Sequence, residues 1–219
     1  MSKLKKFSPF LSKIAVGAGE ILLKYLDRPH KIEYKPGAGI VTEADKFAEQ
    51  FLLKNILKEF PKSTILSEET GTISGSPELL WVIDPLDGTS NFAHGFPWFC
   101  VSIGLHVNGK PHAGVIYSPV LRELYTGEVK QGAYLNKKPI KVSKTKKLSD
   151  ALLGTGFYYA EESTLKREMK IFENMHRHTS TVRRPGSAAL DLACVASGRF
   201  DGFWERGLAP WDVAAGLVI

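Results

Sequence analysis

The apolar residues of this chain change period along its length, and that change restricts the fold more than any other feature. Near the N-terminus Leu11, Ile14, Ala18, Ile21, Leu22 and Tyr25 recur at helical spacing. A second run, Ala44, Phe47, Ala48, Phe51, Leu52 and Ile56, keeps that period from Thr42 or Glu43 to about Phe60, where Pro61 stops it. Thr42 and Asp45 form a Thr-x-x-Asp start that resembles a capping box. From residue 99 to about 142 the pattern turns to short β-type segments at 101–107, 112–117, 121–126 and 132–135, with Asn108-Gly109 as the first turn. That is an antiparallel meander. Strands at 151–154, 181–183 and 200–205 then alternate with helices near 161–175 and 187–197, and Pro210-Trp211-Asp212 opens a last apolar segment. The order predicts an α+β fold of layered sheets and helices, with an N-terminal part at 1–142 and a C-terminal part at 143–219 in one compact unit.

Composition removes several other classes. With 219 residues, 43% hydrophobic and 24% charged, the chain has material for a core and is neither disordered nor fibrous. No stretch approaches the roughly 18 uninterrupted apolar residues of a membrane helix. Lys3, Lys5 and Lys6 before an apolar run imitate a signal peptide, but Lys13 and Glu20 interrupt it, so a cytoplasmic protein is expected. Cys100 and Cys194 each sit in an apolar run with no cysteine nearby, which predicts two buried free thiols rather than a disulfide or metal site. A net charge of +6 admits an anionic substrate or a nucleic-acid partner. The lysines cluster only at 137–147, which reads as a basic surface loop or edge strand before it reads as a nucleic-acid site.

The chemistry concentrates where strands should hand over to loops. A short apolar run at 64–67 delivers Glu68 and Glu69, and the polar stretch 71–77 after it is expected to be a mobile loop. The run 81–83 reads as a buried strand ending at Asp84, within the sequence WVIDPLDGTSNFAHGFPW. Asp84 and Asp87 flank Pro85, which biases Asp84 away from helix, so both carboxylates and the Leu86 carbonyl can turn toward one point. Hard cations such as Mg²⁺ take such an oxygen set. Gly88, Thr89 and Ser90 follow with unobstructed N–H groups and two hydroxyls, a phosphate cradle if a helix starts there. The same string is also a plain turn former. There is neither a Gly-x-x-x-x-Gly-Lys-Ser/Thr loop nor a Gly-x-Gly-x-x-Gly, so nucleoside triphosphatase and dinucleotide readings lose their support. Asp45 and Asp212, each near a helix start, are cap residues when taken singly.

Four blocks taken together resemble the inositol monophosphatase family of Mg²⁺-dependent, lithium-sensitive phosphatases. They are GIVTEAD ending at Asp45, ILSEET around Glu68 and Glu69, the 81–98 segment, and GSAALDLACVASGRFDGFWERGLAPWDVAAG from Gly186. The resemblance implies a layered αβαβα sugar-phosphatase fold, a phosphomonoesterase acting on a polyol or sugar phosphate such as myo-inositol 1-phosphate, and a homodimer. It implies two or three Mg²⁺ ions: Glu68, Asp84 and the Leu86 carbonyl at the first, Asp84, Asp87 and Asp212 at the second, Glu68 at a third. Asp45 and Thr89 would orient and deprotonate the attacking water, with Glu69 in support. Gly88, Thr89 and Ser90 would grip the phosphate, and Ala188 and Glu205 would face the alcohol.

The chain departs from the family pattern at Gly39, where an acidic residue is usual. It also ends at Ile219, whereas the family pattern continues through a further helix, strands and a final helix, so the expected fold lacks that C-terminal segment. Fructose 1,6-bisphosphatase and bisphosphate nucleotidase activities share the metal blocks, as do NADP and histidinol phosphatases. The rival from another class is a non-catalytic binder of RNA or a transcription complex, using the 137–147 run or Arg183 and Arg184.

Overall fold

The first apolar stripe folds as α1, Ser8–Leu26, and buries Leu11, Ile14, Ala15, Ala18 and Leu22. The second becomes α2, Glu43–Glu59, started by the expected box: the Thr42 hydroxyl accepts from the Ala44 amide, and Asp45 accepts from the Thr42 amide. These elements belong to a computed structural model that describes residues 6–26, 28, 33–35, 39–158 and 162–219. Between the helices lies a short antiparallel pair, β1 (Glu33–Lys35) and β2 (Gly39–Val41).

After α2 come β3 (Ser63–Ser67), β4 (Gly71–Ile73), β5 (Ser76–Asp87) and the short helix α3 (Thr89–Ala93). The meander follows as β6 (Cys100–Val107), β7 (Lys110–Ser118), β8 (Glu123–Glu128), β9 (Gly132–Leu135) and β10 (Lys138–Pro139). All except the β1–β2 pair form one eight-stranded sheet, ordered β10-β9-β8-β7-β6-β5-β3-β4, antiparallel except for β3 beside β5. Asn108 and Gly109, with φ of 50° and 74°, turn β6 into β7. The polar stretch 71–77 is not a loop, because Gly71–Ile73 pairs with β3 at the sheet edge and β5 begins at Ser76. Hydrogen bonds from a neighbouring strand order a segment whose own side chains carry no strand pattern.

The remaining chain builds a parallel three-stranded sheet, β12-β11-β13, from β11 (Leu152–Thr155), β12 (Thr181–Arg183) and β13 (Gly202–Trp204). Its crossovers are α4 (Glu162–His178) and α5 (Ala188–Ala196), and α6 (Pro210–Val213) follows. Alternation along β6 and β7 sorts the two faces of the large sheet. Val101, Ile103, Leu105, Ala113 and Val115 join the core under α1 and α2, whereas Cys100 and Ile116 join Ala189, Leu190, Ala193 and Ala215 on the other face. Helix α5 also touches β13, and α4 touches β12, which completes the αβαβα order.

A row of glycines brings the last segment onto the sheet. Gly104, Gly114 and Gly127 are direct neighbours across β6, β7 and β8. A Cβ on Gly104 would lie 2.6 Å from Ala214 Cβ, and one on Gly114 would lie 2.5 Å from the Ala215 carbonyl oxygen. The Val218 carbonyl lies as tightly over Gly127. Residues 214–218 therefore rest directly on strand backbone, which fixes α6 and its Asp212 above β5 and β6.

Candidate active site

Strand β5 carries the decisive irregularity. Asp84 pairs with Ser102 but Asp87 with Cys100, so three residues of β5 span two of β6. In a regular strand Asp84 and Asp87, three apart, would point to opposite faces; the extra residue returns both to one. That face is the one on which α5 and α6 lie. The Leu86 amide donates to Asp84 Oδ1 at 2.9 Å, closing the turn.

Helix α3 starts immediately after this bulge. Gly88 caps it at φ 91°, and a Cβ there would approach the Trp98 carbonyl oxygen to 2.9 Å, so the turn is closed to larger residues. Asn91 Nδ2 ties the helix to the Trp98 and Pro185 carbonyls at 2.7 and 3.0 Å. The Thr89 hydroxyl lies 2.9 Å from the Leu86 carbonyl and 3.2 Å from Asp45 Oδ1, joining α3 to α2. Asp45 Oδ2 is held by the Thr42 amide at 2.8 Å and the Thr42 hydroxyl at 2.6 Å.

The remaining carboxylates come from far along the chain. Asp87 Oδ2 accepts from the Ser187 hydroxyl at 2.6 Å and the Ala189 amide at 2.7 Å, which places it at the first turn of α5 beside Ala188. Asp212 Oδ2 accepts from the Ala209 amide at 2.7 Å, fixing its rotamer at the head of α6. Glu205 follows β13, and its carboxyl lies against Gly156.

Burial is the first cause of raised pKa throughout this group, and mutual repulsion adds to it. Asp84 is pushed well up by burial, then by Glu68, Asp87 and Asp212. Asp87 keeps some solvent contact, yet burial of its carboxyl still raises it against the Ser187 and Ala189 hydrogen bonds. Asp212 rises to about 7 by burial and by Asp87 and Glu68, and Asp45 to about 6 by burial and, in smaller part, by Glu69. Glu205 rises to about 7 by burial and by Asp87 and Asp212, against the attraction of Arg184.

The predicted carboxylates therefore sense one another, although they come from five separate segments. They are not gathered into a tight cage: among the described residues no three Asp, Glu, His or Cys side chains stand as a preformed metal site. A hydrated cation with oxygen ligands fits such a set, because its charge would relieve the repulsion that raises these pKa values. Size does not mark this place. The hollow of about 410 Å³ lined by Ser8, Pro9, Ser12, Leu124, Thr126, Tyr134 and Lys137 contains none of these residues.

Ser187, Asn91 and Asp191 also belong to this place, although no motif in the sequence marks them. Asp191 is 1% exposed on α5, and its pKa rises to about 8 by burial, Asp87 and Glu205. Its signal was a carboxylate inside the buried run Ala188, Ala189, Leu190, Ala193 and Cys194. Both cysteines are buried and free, as expected. Arg183 is an exposed strand-end residue bonded to Thr181 and Val182, whereas Arg184 is charged company for Asp191 and Glu205. The basic run is exposed from Lys144 to Lys147, beyond the edge strand β10.

The match to the model of the inositol monophosphatase family extends over residues 3–219. The chain belongs to that family. It is 44% identical over 220 residues to an inositol-1-monophosphatase of Synechocystis, an alignment covering all of this chain and 77% of that relative. It is 41% identical over 205 residues to the Nus factor SuhB of Escherichia coli K12, covering 92% of this chain and 77% of the other. The solved inositol monophosphatase of Anabaena superposes with a TM-score of 0.87 at 47% identity, over 97% of this chain and 79% of that one. As an inositol monophosphatase family member the chain carries the family's layered fold, and no helix among its described residues is long and apolar enough to cross a membrane.

Proposed function

We propose that this family member is a divalent-metal-dependent phosphomonoesterase acting on a small polyol or sugar phosphate, myo-inositol 1-phosphate foremost. The observation that carries the reading is the β5 bulge, which turns Asp84 and Asp87 to one face, where Asp212 and Glu68 influence the same carboxyl. Such an oxygen set suits Mg²⁺. Glu68, Asp84 and the Leu86 carbonyl would hold one ion, Asp84, Asp87 and Asp212 a second, with Glu68 shared by a third. Bound there, the ions supply charge neutralisation for a phosphate dianion and acidify water.

The chain's own groups do the rest. Asp45 Oδ1, beside the Thr89 hydroxyl, takes the proton of the attacking water, and a pKa of about 6 suits that exchange near neutrality. Glu69 supports this by repelling the Asp45 charge. Backbone groups of Gly88, Thr89 and Ser90 hold the phosphate, as the family likeness suggests, since a five-residue α3 contributes little dipole. Ala188 and Glu205 face the alcohol, where a carboxylate accepts hydrogen bonds from ring hydroxyls. Lithium inhibition and a homodimer belong to the same reading.

Phosphate release from a panel tests it: myo-inositol 1-phosphate, fructose 1,6-bisphosphate, 3′-phosphoadenosine 5′-phosphate, NADP and histidinol phosphate. Fastest turnover of the inositol ester supports the substrate assignment, and a preference for another ester moves it within the superfamily. A second reading, a binder in a transcription complex, is favoured by the relatives named Nus factor SuhB and by the exposed lysines at 144–147. RNA binding that weakens steeply with salt, without turnover of any ester, would select it.

A further inference from the structure

Glu49 lies one helical turn beyond Asp45 on α2 and is 4% exposed. Its carboxyl accepts from the Ser67 hydroxyl, from the Thr70 amide at 2.9 Å and from the Thr70 hydroxyl at 2.5 Å. Ser67 ends β3 and Thr70 precedes β4, so these bonds clasp both ends of the turn that carries Glu68 and Glu69. A carboxylate is costly to bury, and apart from Asp45 and Glu49 this stripe of α2 is apolar, made of Ala44, Ala48, Leu52 and Ile56. Packing alone would favour a hydrocarbon at position 49.

We propose that Glu49 is a positioning residue that fixes the Glu68–Glu69 turn, and that α2 is thereby the common mount for Asp45 and for the Glu68 metal ligand. The inference rests on the metal-dependent reading above, because it concerns how Glu68 is presented to a cation. The Glu49 carboxyl is taken up by Ser67 and Thr70, so it acts through them and not as a ligand. Supports of this kind change ligand affinity when removed, by about 10- to 100-fold in known metal sites.

The test compares Glu49→Ala, Glu49→Gln and Thr70→Ala with the unaltered chain. Gln keeps one oxygen for Ser67 and the Thr70 amide and offers its NH₂ to the Thr70 hydroxyl, which can accept. Three readouts are needed: hydrogen exchange at the Thr70 amide, calorimetric Mg²⁺ affinity, and kcat and KM for myo-inositol 1-phosphate. Expected for Glu49→Ala are faster Thr70 exchange and Mg²⁺ affinity weakened by about tenfold or more, with little change in KM. Glu49→Gln should restore both. Thr70→Ala, at an exposed position that leaves the helix intact, should weaken Mg²⁺ binding in the same direction and serves if Glu49→Ala does not fold. Unchanged Mg²⁺ affinity in folded Glu49→Ala, or in Thr70→Ala where Glu49→Ala fails to fold, overturns the proposal. If the unaltered chain binds no Mg²⁺ and releases no phosphate, the enzymatic reading falls and takes this role with it, while changed Thr70 exchange would still register the clasp.

Discussion

The Ser187 hydroxyl donates to Asp87 Oδ2 at 2.6 Å, joining residues 100 positions apart in sequence. Ser187 is also the N-cap of α5, where it accepts from the Leu190 amide. The bond thus locks the bulge of β5 to the start of α5, with Asp87 at the seam between that strand and that helix. A carboxylate there serves both architecture and chemistry, and substitutions can separate the two.

Asp87→Asn keeps an oxygen able to accept from Ser187 and Ala189 but removes the charge. The variant should fold normally and lose most turnover, about 100-fold or more, because the proposed metal ligation depends on that charge. Melting curves and phosphate release, measured with saturating Mg²⁺, check both halves. Near-normal turnover would remove Asp87 from the ligand set.

Glu205→Gln should weaken substrate binding more than chemistry. The side chain follows β13 and is placed in this reading on the alcohol side, away from the attacking water. A rise in KM with kcat nearly intact is expected. An unchanged KM would count against its contact with the substrate.

Gly114→Val should act through Asp212. A side chain at Gly114 would collide with the Ala215 backbone, lifting the segment that seats α6. Destabilisation of about 1–3 kcal/mol is expected from such overpacking, together with loss of Mg²⁺ affinity. Thermal melts with a Mg²⁺ titration would register both; full affinity in the folded variant would show that the glycine row does not hold Asp212.

The carboxylate cluster sets a pH dependence of stability. Asp45 at about 6, Asp212 and Glu205 at about 7 and Asp191 at about 8 all lie above the ordinary Asp and Glu values of 3.8 and 4.5. Between those limits the folded chain holds more protons than the unfolded one, so stability falls as pH rises. This contribution is complete below about pH 4 and is lost progressively as pH rises through about 6 to 8. Glu123 and Asp201, whose pKa values are lowered by their hydrogen bonds, act oppositely at more acidic pH, and His106, lowered from 6.5 by burial, is a single opposing group below that value. The metal-free protein should therefore melt lower at pH 8 than at pH 5, and Mg²⁺ should raise the melting temperature more at pH 8. Equal Mg²⁺ effects at both values would contradict the mutual repulsion.

Much of this was readable from residue order, for identifiable reasons. Helices α1 and α2 and the β6–β9 meander announce themselves through apolar period and through Asn108-Gly109, which are local signals. Strand β4 does not, because Gly71–Ile73 is ordered by its pairing to β3 rather than by its own side chains. The Asp84–Asp87 spacing suggested convergence through Pro85, but the means is a bulge defined by the partner strand β6, which sequence alone does not display. Glu49 and Asp191 escaped because a carboxylate in a helix ordinarily faces water. Their position on buried stripes was the available sign. The row Gly104, Gly114 and Gly127 becomes visible only once the register of three strands is known.

Metal-dependent phosphate-ester hydrolysis is the chemistry these carboxylates are expected to serve. The direct measurement is phosphate released from myo-inositol 1-phosphate with Mg²⁺, after EDTA, and after Mg²⁺ is restored. Turnover that disappears with EDTA and returns with Mg²⁺ is the predicted result. Turnover indifferent to EDTA, or none from folded protein on this or any ester of the panel, would contradict it.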